Sequence, residues 1–454
     1  MTDRRLSLRR GYRYEWLVLV FVALSTITIV NVANPQDTTR YELTRHVVLY
    51  HTLELEPGLF DRAVYNGRTY SDKAPGMSFL AIPAYSVERA LGLARAPTEW
   101  TGKGDLSLWG IRIATSGVLF LLTGLLLGRA AESLVPGTGA ATFAVFGTAT
   151  LAAPLAATLF EHDAAAFFAF AGFLLAWRQS RRLPLVAAGL AVGTGVLFQY
   201  AVGAIVIVVA LYVAVRERAR VGWLLLGGVA PALALGAYDW IAFGSPFHLS
   251  YRYVGNRYAE LQHGGFFGIG IPRLSGLHEV LVGDRGLLLF SPVLAAAGVG
   301  LWLMWRRGFG GEAAVAAIVT VVFVLADAAY FIPYGGNSPG PRFAVPALPF
   351  LMLGLPFALA RFPKTTLALA VVSCVLTSLD SLTWGLRLES DAWYPGSGFS
   401  DLTKTVWVWA GLDRIQGGGL VGLAALAAVG VGAWVVLHGR SAAREPARHD
   451  VSHA

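Results

Sequence analysis

The segment EWLVLVFVALSTITIVNVANPQDTTRYELTRHVVLY, residues 15–50, decides the fold. Its apolar run over 15–34 has about the 20 residues that a helix needs to cross the hydrocarbon core of a bilayer. A polar stretch that contains Asp37 follows at once, and a pattern with the three- and four-residue spacing of a helix begins at Thr38. The segment therefore predicts a membrane span that leads directly into a helix of the next loop.

The composition of the whole chain agrees with a membrane protein. The 454 residues are 55% hydrophobic and 14% charged, whereas an ordinary soluble domain carries roughly 25% charged residues. The single cysteine, Cys374, excludes an intramolecular disulfide and a cysteine metal cluster. Apolar runs of spanning length predict an all-α polytopic protein of about 12 transmembrane helices, near 15–34, 107–128, 138–157, 164–177, 184–200, 202–215, 221–242, 287–305, 313–332, 343–360, 365–385 and 418–437.

Charge distribution predicts the orientation in the membrane. The net charge of +8 comes from arginines that precede the first span and fill the short loops on the same side. Such basic loops mark the cytoplasmic face, so the charge indicates a membrane orientation and no nucleic-acid partner. Three long polar insertions, 35–106, 243–286 and 386–417, lie on the opposite side. We expect a plasma (inner) membrane protein with cytoplasmic termini and an extracytoplasmic active site.

The same pattern suggests a division of the chain. Residues 1–14 form a basic cytoplasmic N-terminus, and 15–360 form a catalytic membrane core. Residues 361–437 add C-terminal spans, and 438–454 are polar enough to be a disordered cytoplasmic tail. Within the first loop, 74–93 is apolar but contains two prolines and ends in charge, which predicts a helix at the membrane interface.

Rare charged residues near span ends are the candidates for chemistry. Asp37 could simply cap the helix that follows it, or act as a general base, and the two roles are compatible. Lys73 follows Asp72 and precedes Ala-Pro-Gly at the start of the interfacial helix. Its ammonium could bind a lipid phosphate, or keep its charge in water while its stem covers apolar surface. Arg342, after a Gly/Pro-rich turn, could bind phosphate oxygens or anchor a span end.

A second acidic site lies between the third and fourth predicted spans. Glu161, His162 and Asp163 are adjacent there, where charge is costly and usually functional. They could act as acid or base or hold a divalent metal, although three neighbouring side chains of one helix cannot all point at one ion. Tyr251 and Arg252 belong to a basic, aromatic outer segment over 243–258.

Together these segments resemble the GT-C glycosyltransferases. The resemblance rests on the first span leading to Asp37, the Arg-Tyr helix with Arg40 and Tyr41, the Lys-Ala-Pro turn at Lys73, and Ile111-Arg112 opening the next span. The stretches RGLLLFSPVL (285–294) and GPRFAVPALPFL (340–351) also look like this fold. The closest branch is the bacterial one related to lipid A aminoarabinose transferases and protein O-mannosyltransferases. The resemblance covers the chain from the first span to about residue 360.

The resemblance implies an inverting transfer of a hexose or pentose from a polyprenyl-phosphate donor to an acceptor hydroxyl. Asp37 would be the base, helped by the acidic site at 161–163. Lys73 and Arg342, with Arg40 and Arg112, would bind the donor phosphate. The sequence requires no cofactor and allows a divalent metal at Glu161 and Asp163. The expected partners are the polyprenyl-phosphate sugar, membrane lipid and a glycan, lipid or protein acceptor. Substrate-binding residues would be Tyr41, Tyr70, Asp72, Tyr251, Arg252 and Asn337.

The sequence also departs from that family pattern. In protein O-mannosyltransferases the first-loop acid is followed by a second acid, whereas Thr38 follows Asp37 here. The second acidic site reads Glu-His-Asp, and acceptor recognition is expected to use loops between spans. A polytopic lipid or polysaccharide transporter or flippase is the main alternative, and a membrane scaffold is another. A transporter is expected to keep its site near the bilayer midplane, whereas Asp239, Asp327 and Asp380 lie near the outer ends of their predicted spans.

Overall fold

The computed structural model describes residues 6, 8, 11–31, 33–100, 106–336, 338–383 and 404–442, without side chains for 439–442. Helices dominate this part of the chain, as the sequence predicts. In chain order the helices are α1 Glu15–Thr26, α2 Pro35–Tyr50, α3 Gly76–Ala90, α4 Leu106–Leu134, α5 Gly139–Thr148, α6 Ala152–Leu155, α7 His162–Ala176, α8 Arg182–Phe198, α9 Val202–Arg216, α10 Val221–Phe243, α11 Ala259–His263, α12 Leu274–Val282, α13 Leu287–Phe290, α14 Val293–Arg306, α15 Gly310–Ala329, α16 Arg342–Arg361, α17 Pro363–Thr383 and α18 Arg414–Ala442.

Several of these helices are able to cross a membrane. Six are long and apolar enough: α4, α15, α16, α17, α18 and the helix Arg218–Phe243 that contains α10. A seventh span would join α12 and α13 to α14, across a 91° bend. The predicted multi-pass membrane protein is confirmed. The count of twelve is not, because the helices at the other five predicted spans, α1, α5, α7, α8 and α9, have only 10–17 residues.

Two predicted spans differ from the observed helices for local reasons. The span predicted over 15–34 ends as a helix at Thr26, and Ile29–Val30 then forms a short strand, β1. The sequence after Thr26 is rich in β-branched residues, which favour extended backbone. The span predicted over 287–305 is interrupted at Ser291 and Pro292, between α13 and α14. A proline ring lacks the N–H that would continue the first helix.

The loop predicted over 35–106 contains two helices and a hairpin in its described part. After α2, strands β2 (Ala63–Tyr65) and β3 (Arg68–Tyr70) pair antiparallel around the turn at Asn66 and Gly67. Both turn residues have positive φ, 49° and 76°, the backbone of a type I′ turn for which Asn-Gly is the preferred sequence. The hairpin connects α2 to α3 and fixes the chain on either side of the turn.

Helix α3 is the helix predicted over 74–93, and it is slightly shorter, Gly76–Ala90. Its buried face carries Met77, Ser78, Ala81 and Tyr85, at the spacing of one helix face. The hydroxyl of Thr44 in α2 donates to the carbonyl of Ser78 at 2.8 Å. The two helices of the loop therefore pack against each other.

The C-terminal part of the described chain returns to the first span. Strand β4 (Lys404–Thr405) pairs antiparallel with β1. Helix α18 follows and extends to Ala442, five residues beyond the end predicted at 437. Residues 384–403, most of the loop predicted over 386–417, and 443–454 of the predicted tail lie outside the described residues.

Candidate active site

The start of α2 determines where Asp37 lies. Asn34 is the N-cap, and its side-chain oxygen accepts from the backbone N–H groups of Gln36 and Asp37, at 2.9 and 3.1 Å. The carboxylate of Asp37 accepts in return from the backbone N–H of Asn34 at 3.1 Å. This reciprocal arrangement is a capping box. Of the two roles considered for Asp37, that of the N-cap is wrong, because Asn34 takes that position and Asp37 completes the box from the third helical residue.

The carboxylate of Asp37 is fully buried and has four hydrogen bonds. Its Oδ2 accepts from Arg112 Nη2 at 2.5 Å and from the backbone and side-chain nitrogens of Asn34. Its Oδ1 accepts from the backbone N–H of Leu159 at 2.8 Å. Three of the described donors reach Oδ2 and one reaches Oδ1, and together they match the roughly four lone-pair positions of a carboxylate.

Arg112 binds both Asp37 and the main chain after the first span. Its Nη1 donates to the carbonyl of Asn31 at 2.6 Å, and the side chain is completely buried. It lies in α4 directly before a π-helical turn, Ile113–Gly117, a local irregularity that is frequent at functional sites. Arg112 therefore joins α4 to the start of α2, and the structure does not place it with the cations described below.

A second buried ion pair begins one turn further along α2. Arg40 Nη2 bonds Oε2 of Glu161, and Arg40 Nη1 donates to the carbonyl and the side chain of Gln36 at 3.1 and 3.0 Å. Both charged side chains are almost inaccessible. Burial alone would raise the pKa of Glu161, but Arg40, then His162 and Arg342, lower it from 4.5 to about 2. Glu161 is therefore ionised at neutral pH.

The hairpin brings two carboxylates to Lys73. The ammonium lies 3.0 Å from Asp72 Oδ2 and 3.3 Å from Asp61 Oδ2. Burial raises the pKa of Asp72 to about 6, against the lowering effect of Lys73. Burial lowers the pKa of Lys73, but Asp61 and Asp72 raise it above its ordinary value. Lys73 is charged at neutral pH, and the third N–H of its ammonium is not needed by these two acids.

Arg342 is the third cation of the site. It is 7% exposed, and its guanidinium lies between the rings of Phe160 and Phe343, with 5.0 and 5.2 Å to the ring centroids. Its buried Nε has no hydrogen-bond partner among the described residues. No described carboxylate lies within ion-pair distance of this guanidinium. Arg342 is therefore held by aromatic faces, and its hydrogen-bond donors are left for another group.

Arg40, Lys73 and Arg342 belong to one cluster. The guanidinium groups of Arg40 and Arg342 lie 5.8 and 5.0 Å from the centroid of the same Phe160 ring, and both arginines act to lower the pKa of Lys73. Burial raises the pKa of Tyr251, as do Glu161 and Asp72, while Arg40 and Arg342 lower it. Tyr251 is therefore within electrostatic range of the same cluster, and its substrate-binding role stays a prediction. We call Arg40, Lys73 and Arg342 the cation site.

The predicted acidic site at 161–163 does not act as one unit. Glu161 is bonded to Arg40, and His162 Nδ1 lies 3.1 Å from Gln199 Oε1. Among the described residues, His162 Nε2 and both carboxylate oxygens of Asp163 are buried and have no hydrogen-bond partner. Within the described ranges no three His, Cys, Asp or Glu side chains are grouped as a metal ion would need. Glu161 and Asp163 thus do not fit a shared metal site.

Some predicted substrate residues lie elsewhere. Tyr41 is fully buried between α2 and α3, where its hydroxyl donates to the carbonyl of Arg95 at 2.6 Å. Tyr70 is buried in a small cluster and contacts the ring of Phe243. Arg252 is exposed. Asn337 lies outside the described residues.

Sequence reasoning missed three members of the site. Asp61 is close to Asp72 because Ala63 pairs with Tyr70 at the end of the hairpin ladder, and each acid lies two residues beyond that pair. The Asn66-Gly67 turn was a visible signal for this pairing. Phe160 and Phe343 were not singled out, although each directly precedes or follows a charged candidate in the sequence.

Comparison with solved structures identifies the fold. The chain is similar to ArnT from Cupriavidus metallidurans in the apo state, with a TM-score of 0.53, 16% identity, and 94% of this chain and 76% of ArnT covered. For ArnT bound to undecaprenyl phosphate the TM-score is 0.52 and the identity 17%, with 96% and 77% covered. No family model and no curated protein matches the sequence. The expected GT-C fold is confirmed.

The Arg40–Glu161 pair makes a testable contribution to stability. Glu161→Gln leaves Arg40 buried without a charged partner, which costs about 3–5 kcal/mol of unfolding free energy. A carboxylate with a lowered folded pKa stabilises the protein fully above its unfolded pKa of 4.5. This contribution is lost as the pH falls toward about 2. Unfolding in detergent at several pH values should show a wild-type advantage that is constant above pH 4.5 and shrinks below it.

The matched control is Glu54→Gln. Glu54 pairs with Arg68 at 3.6 Å, with side chains 44% and 65% exposed, and such a pair contributes less than about 1 kcal/mol. Equal effects of the two substitutions would contradict a stabilising role for the buried pair.

Proposed function

We propose that this protein is a membrane glycosyltransferase. It would move a sugar from a polyprenyl-phosphate donor to an acceptor hydroxyl, at the extracytoplasmic membrane face. The observation that carries the proposal is Arg342, a buried guanidinium at a span end with no acidic partner among the described residues. The GT-C fold, shared with an ArnT structure that holds undecaprenyl phosphate, supports the same donor class.

The cation site supplies what the leaving group requires. In glycosyl transfer the acceptor oxygen bonds the anomeric carbon while the bond from that carbon to the phosphate oxygen breaks. Negative charge then develops on the lipid phosphate, and fixed cations in a site with little water stabilise it. Arg342 offers paired N–H groups that match phosphate oxygens, and Lys73 offers the third N–H of its ammonium. Arg40 adds positive charge nearby while bonded to Glu161.

Arg112 takes a different role from the one expected. Its guanidinium is used by Asp37 and by the carbonyl of Asn31. We assign it to positioning the start of α2, which holds Arg40 in the cation site. This assignment replaces the expected contact between Arg112 and the donor phosphate.

Asp37 stays our proposal for the general base. Its Oδ1 accepts one described hydrogen bond, whereas Oδ2 accepts three, so Oδ1 is the oxygen that would take the proton of the attacking hydroxyl. The carboxylate is buried, so substrate binding must open the chain around it. Catalytic hydrogen bonds often form only in the substrate complex. Attack opposite the departing phosphate would invert the anomeric configuration.

The remaining details extend the same proposal. The basic short loops favour termini on the cytoplasmic side. We keep the division of the chain into segments that end at residues 14, 360 and 437. Either a hexose or a pentose fits the chemistry, and no step is assigned to a metal. A flippase would also bind a polyprenyl phosphate, so the experiment below separates transfer from translocation.

Replacing Arg342 should abolish transfer. Proteoliposomes with the full chain are incubated with labelled polyprenyl-phosphate pentoses and hexoses and a cell-envelope extract as acceptor. Arg342→Gln should lower transfer by about 100- to 1,000-fold, because one charge-stabilising group is lost. Arg361→Gln, at the exposed opposite end of the same helix, should leave transfer unchanged. Translocation of the labelled lipid without transfer by the wild type would refute the enzyme and favour the flippase.

A compensated pair of substitutions tests Asp37 apart from its structural role. Asp37→Asn alone leaves Arg112 buried without its acid and is expected to destabilise the protein. The double variant Asp37→Asn/Arg112→Gln replaces the ion pair by two amides that can bond each other, and should restore thermal stability in detergent. If Asp37 is the base, this stable double variant stays about 100- to 10,000-fold less active. Near wild-type transfer would show that Asp37 only positions α2.

A further inference from the structure

Five partly exposed aromatic rings contact one another in succession outside the buried core. The ring centroids of Phe60 and Tyr258 lie 6.3 Å apart, and Tyr258 is 6.2 Å from Phe331. Phe331 lies 4.4 Å from Tyr330, which is 5.1 Å from Phe343. None of these five rings belongs to the buried hydrophobic clusters of the described chain. We call this series of rings the aromatic track.

The two ends of the track differ. At the inner end Phe343 contacts the guanidinium of Arg342 and lies 5.6 Å from the ring of His162. At the outer end Phe60 is 41% exposed. The exposed guanidinium of Arg257 lies over Phe60 and Tyr258, at 5.5 and 4.9 Å from the centroids. The track therefore leads from the protein surface to the cation site.

The backbone holds the central rings in place. Phe331 donates its N–H to the carbonyl of Gly268 at 3.2 Å. Gly268 has a φ of +84°, and a Cβ there would lie within 2.9 Å of the rings of Tyr330 and Phe331. The hydroxyl of Tyr330 donates to Gln262 Oε1 at 2.6 Å. The rings are therefore oriented before any ligand binds, which lowers the entropy cost of binding.

The chemistry of the track matches a carbohydrate. We infer that it binds the acceptor as a glycan chain of several sugar units and presents the terminal hydroxyl to the cation site. A sugar ring has an apolar C–H face and polar edges. Aromatic faces flanked by hydrogen-bonding groups, such as Tyr258, Tyr330 and Arg257, suit both parts. Five rings in succession exceed what one sugar unit would cover. The inference rests on the proposed function and names its acceptor class.

Two other occupants fit the track less well. An interfacial aromatic belt faces lipid around the perimeter of a membrane protein, whereas this series of rings runs inward to a buried arginine. The isoprenoid tail of the donor is apolar and offers nothing to the tyrosine hydroxyls or to Arg257. The donor sugar itself is attached at the inner end, beside the phosphate, and does not need the outer rings.

Glycan binding tests the inference directly. The detergent-solubilised full chain is applied to immobilised arabinan, mannan and galactan. We expect the wild type to bind at least one of them, and Phe331→Ala and Tyr258→Ala each to weaken that binding about 10-fold. Tyr258→Phe keeps the ring and should retain most of the affinity. Phe247→Ala removes a ring that is 87% exposed and outside the track, and it should bind like the wild type.

Undecaprenyl phosphate binding, measured on the same samples, separates the two proposals. The track variants should bind this lipid like the wild type. If the wild type does not bind the lipid, the proposed function fails, whatever the glycans show. The inference that the aromatic track binds a glycan would be overturned if the wild type bound none of the three glycans. It would also be overturned if Phe331→Ala and Tyr258→Ala bound them as well as the wild type. Weaker lipid binding by those two variants would overturn it as well, because the rings would then serve the isoprenoid.

Discussion

Two buried ion pairs on one face of α2 fix the position of this helix in the membrane protein. Asp37 and Arg40 are three positions apart, and they bond Arg112 in α4 and Glu161 before α7. An unpaired charge is very costly when buried, so each pair excludes any register of α2 that separates its members. The position of α2 also determines that of the loop after it. The hydroxyls of Thr44 and Tyr41 in α2 donate hydrogen bonds to the carbonyls of Ser78 and Arg95 in that loop. Lys73 lies in the segment between Thr44 and Ser78, whose ends this first contact joins.

Arg342 differs from Arg40 and Arg112 in the groups that its guanidinium contacts. Every other arginine buried in this region has a carboxylate partner, whereas Arg342 has the faces of Phe160 and Phe343. Aromatic faces attract a guanidinium but leave its in-plane donors free. A phosphate can bind those donors without competing with a protein acid. Phe343 also begins the aromatic track, so the group that holds the cation would also adjoin the acceptor.

The helical architecture could be predicted from the sequence, whereas the ion-pair partners of the site residues could not. Long apolar runs and basic short loops are local signals, and they predicted the multi-pass helical fold and the helix α3. The scarcity of charge also drew attention to Asp37, Lys73 and Arg342. The partners could not be predicted, because Arg112 and Glu161 are 75 and 121 residues away from the side chains they bond. Asp61 was foreseeable from the Asn-Gly turn. The separation of Glu161 from Asp163 follows from helix geometry, since α7 starts between them.

We propose that Arg342 and Lys73 bind the phosphate of a polyprenyl-phosphate donor. An experimental structure of the full chain with undecaprenyl phosphate, in lipid nanodiscs, would test this binding. We expect the phosphate within hydrogen-bond distance of the Arg342 guanidinium and the Lys73 ammonium, with the Asp37–Arg112 and Arg40–Glu161 pairs intact. A phosphate bound elsewhere, with Arg342 paired to a protein carboxylate, would contradict it.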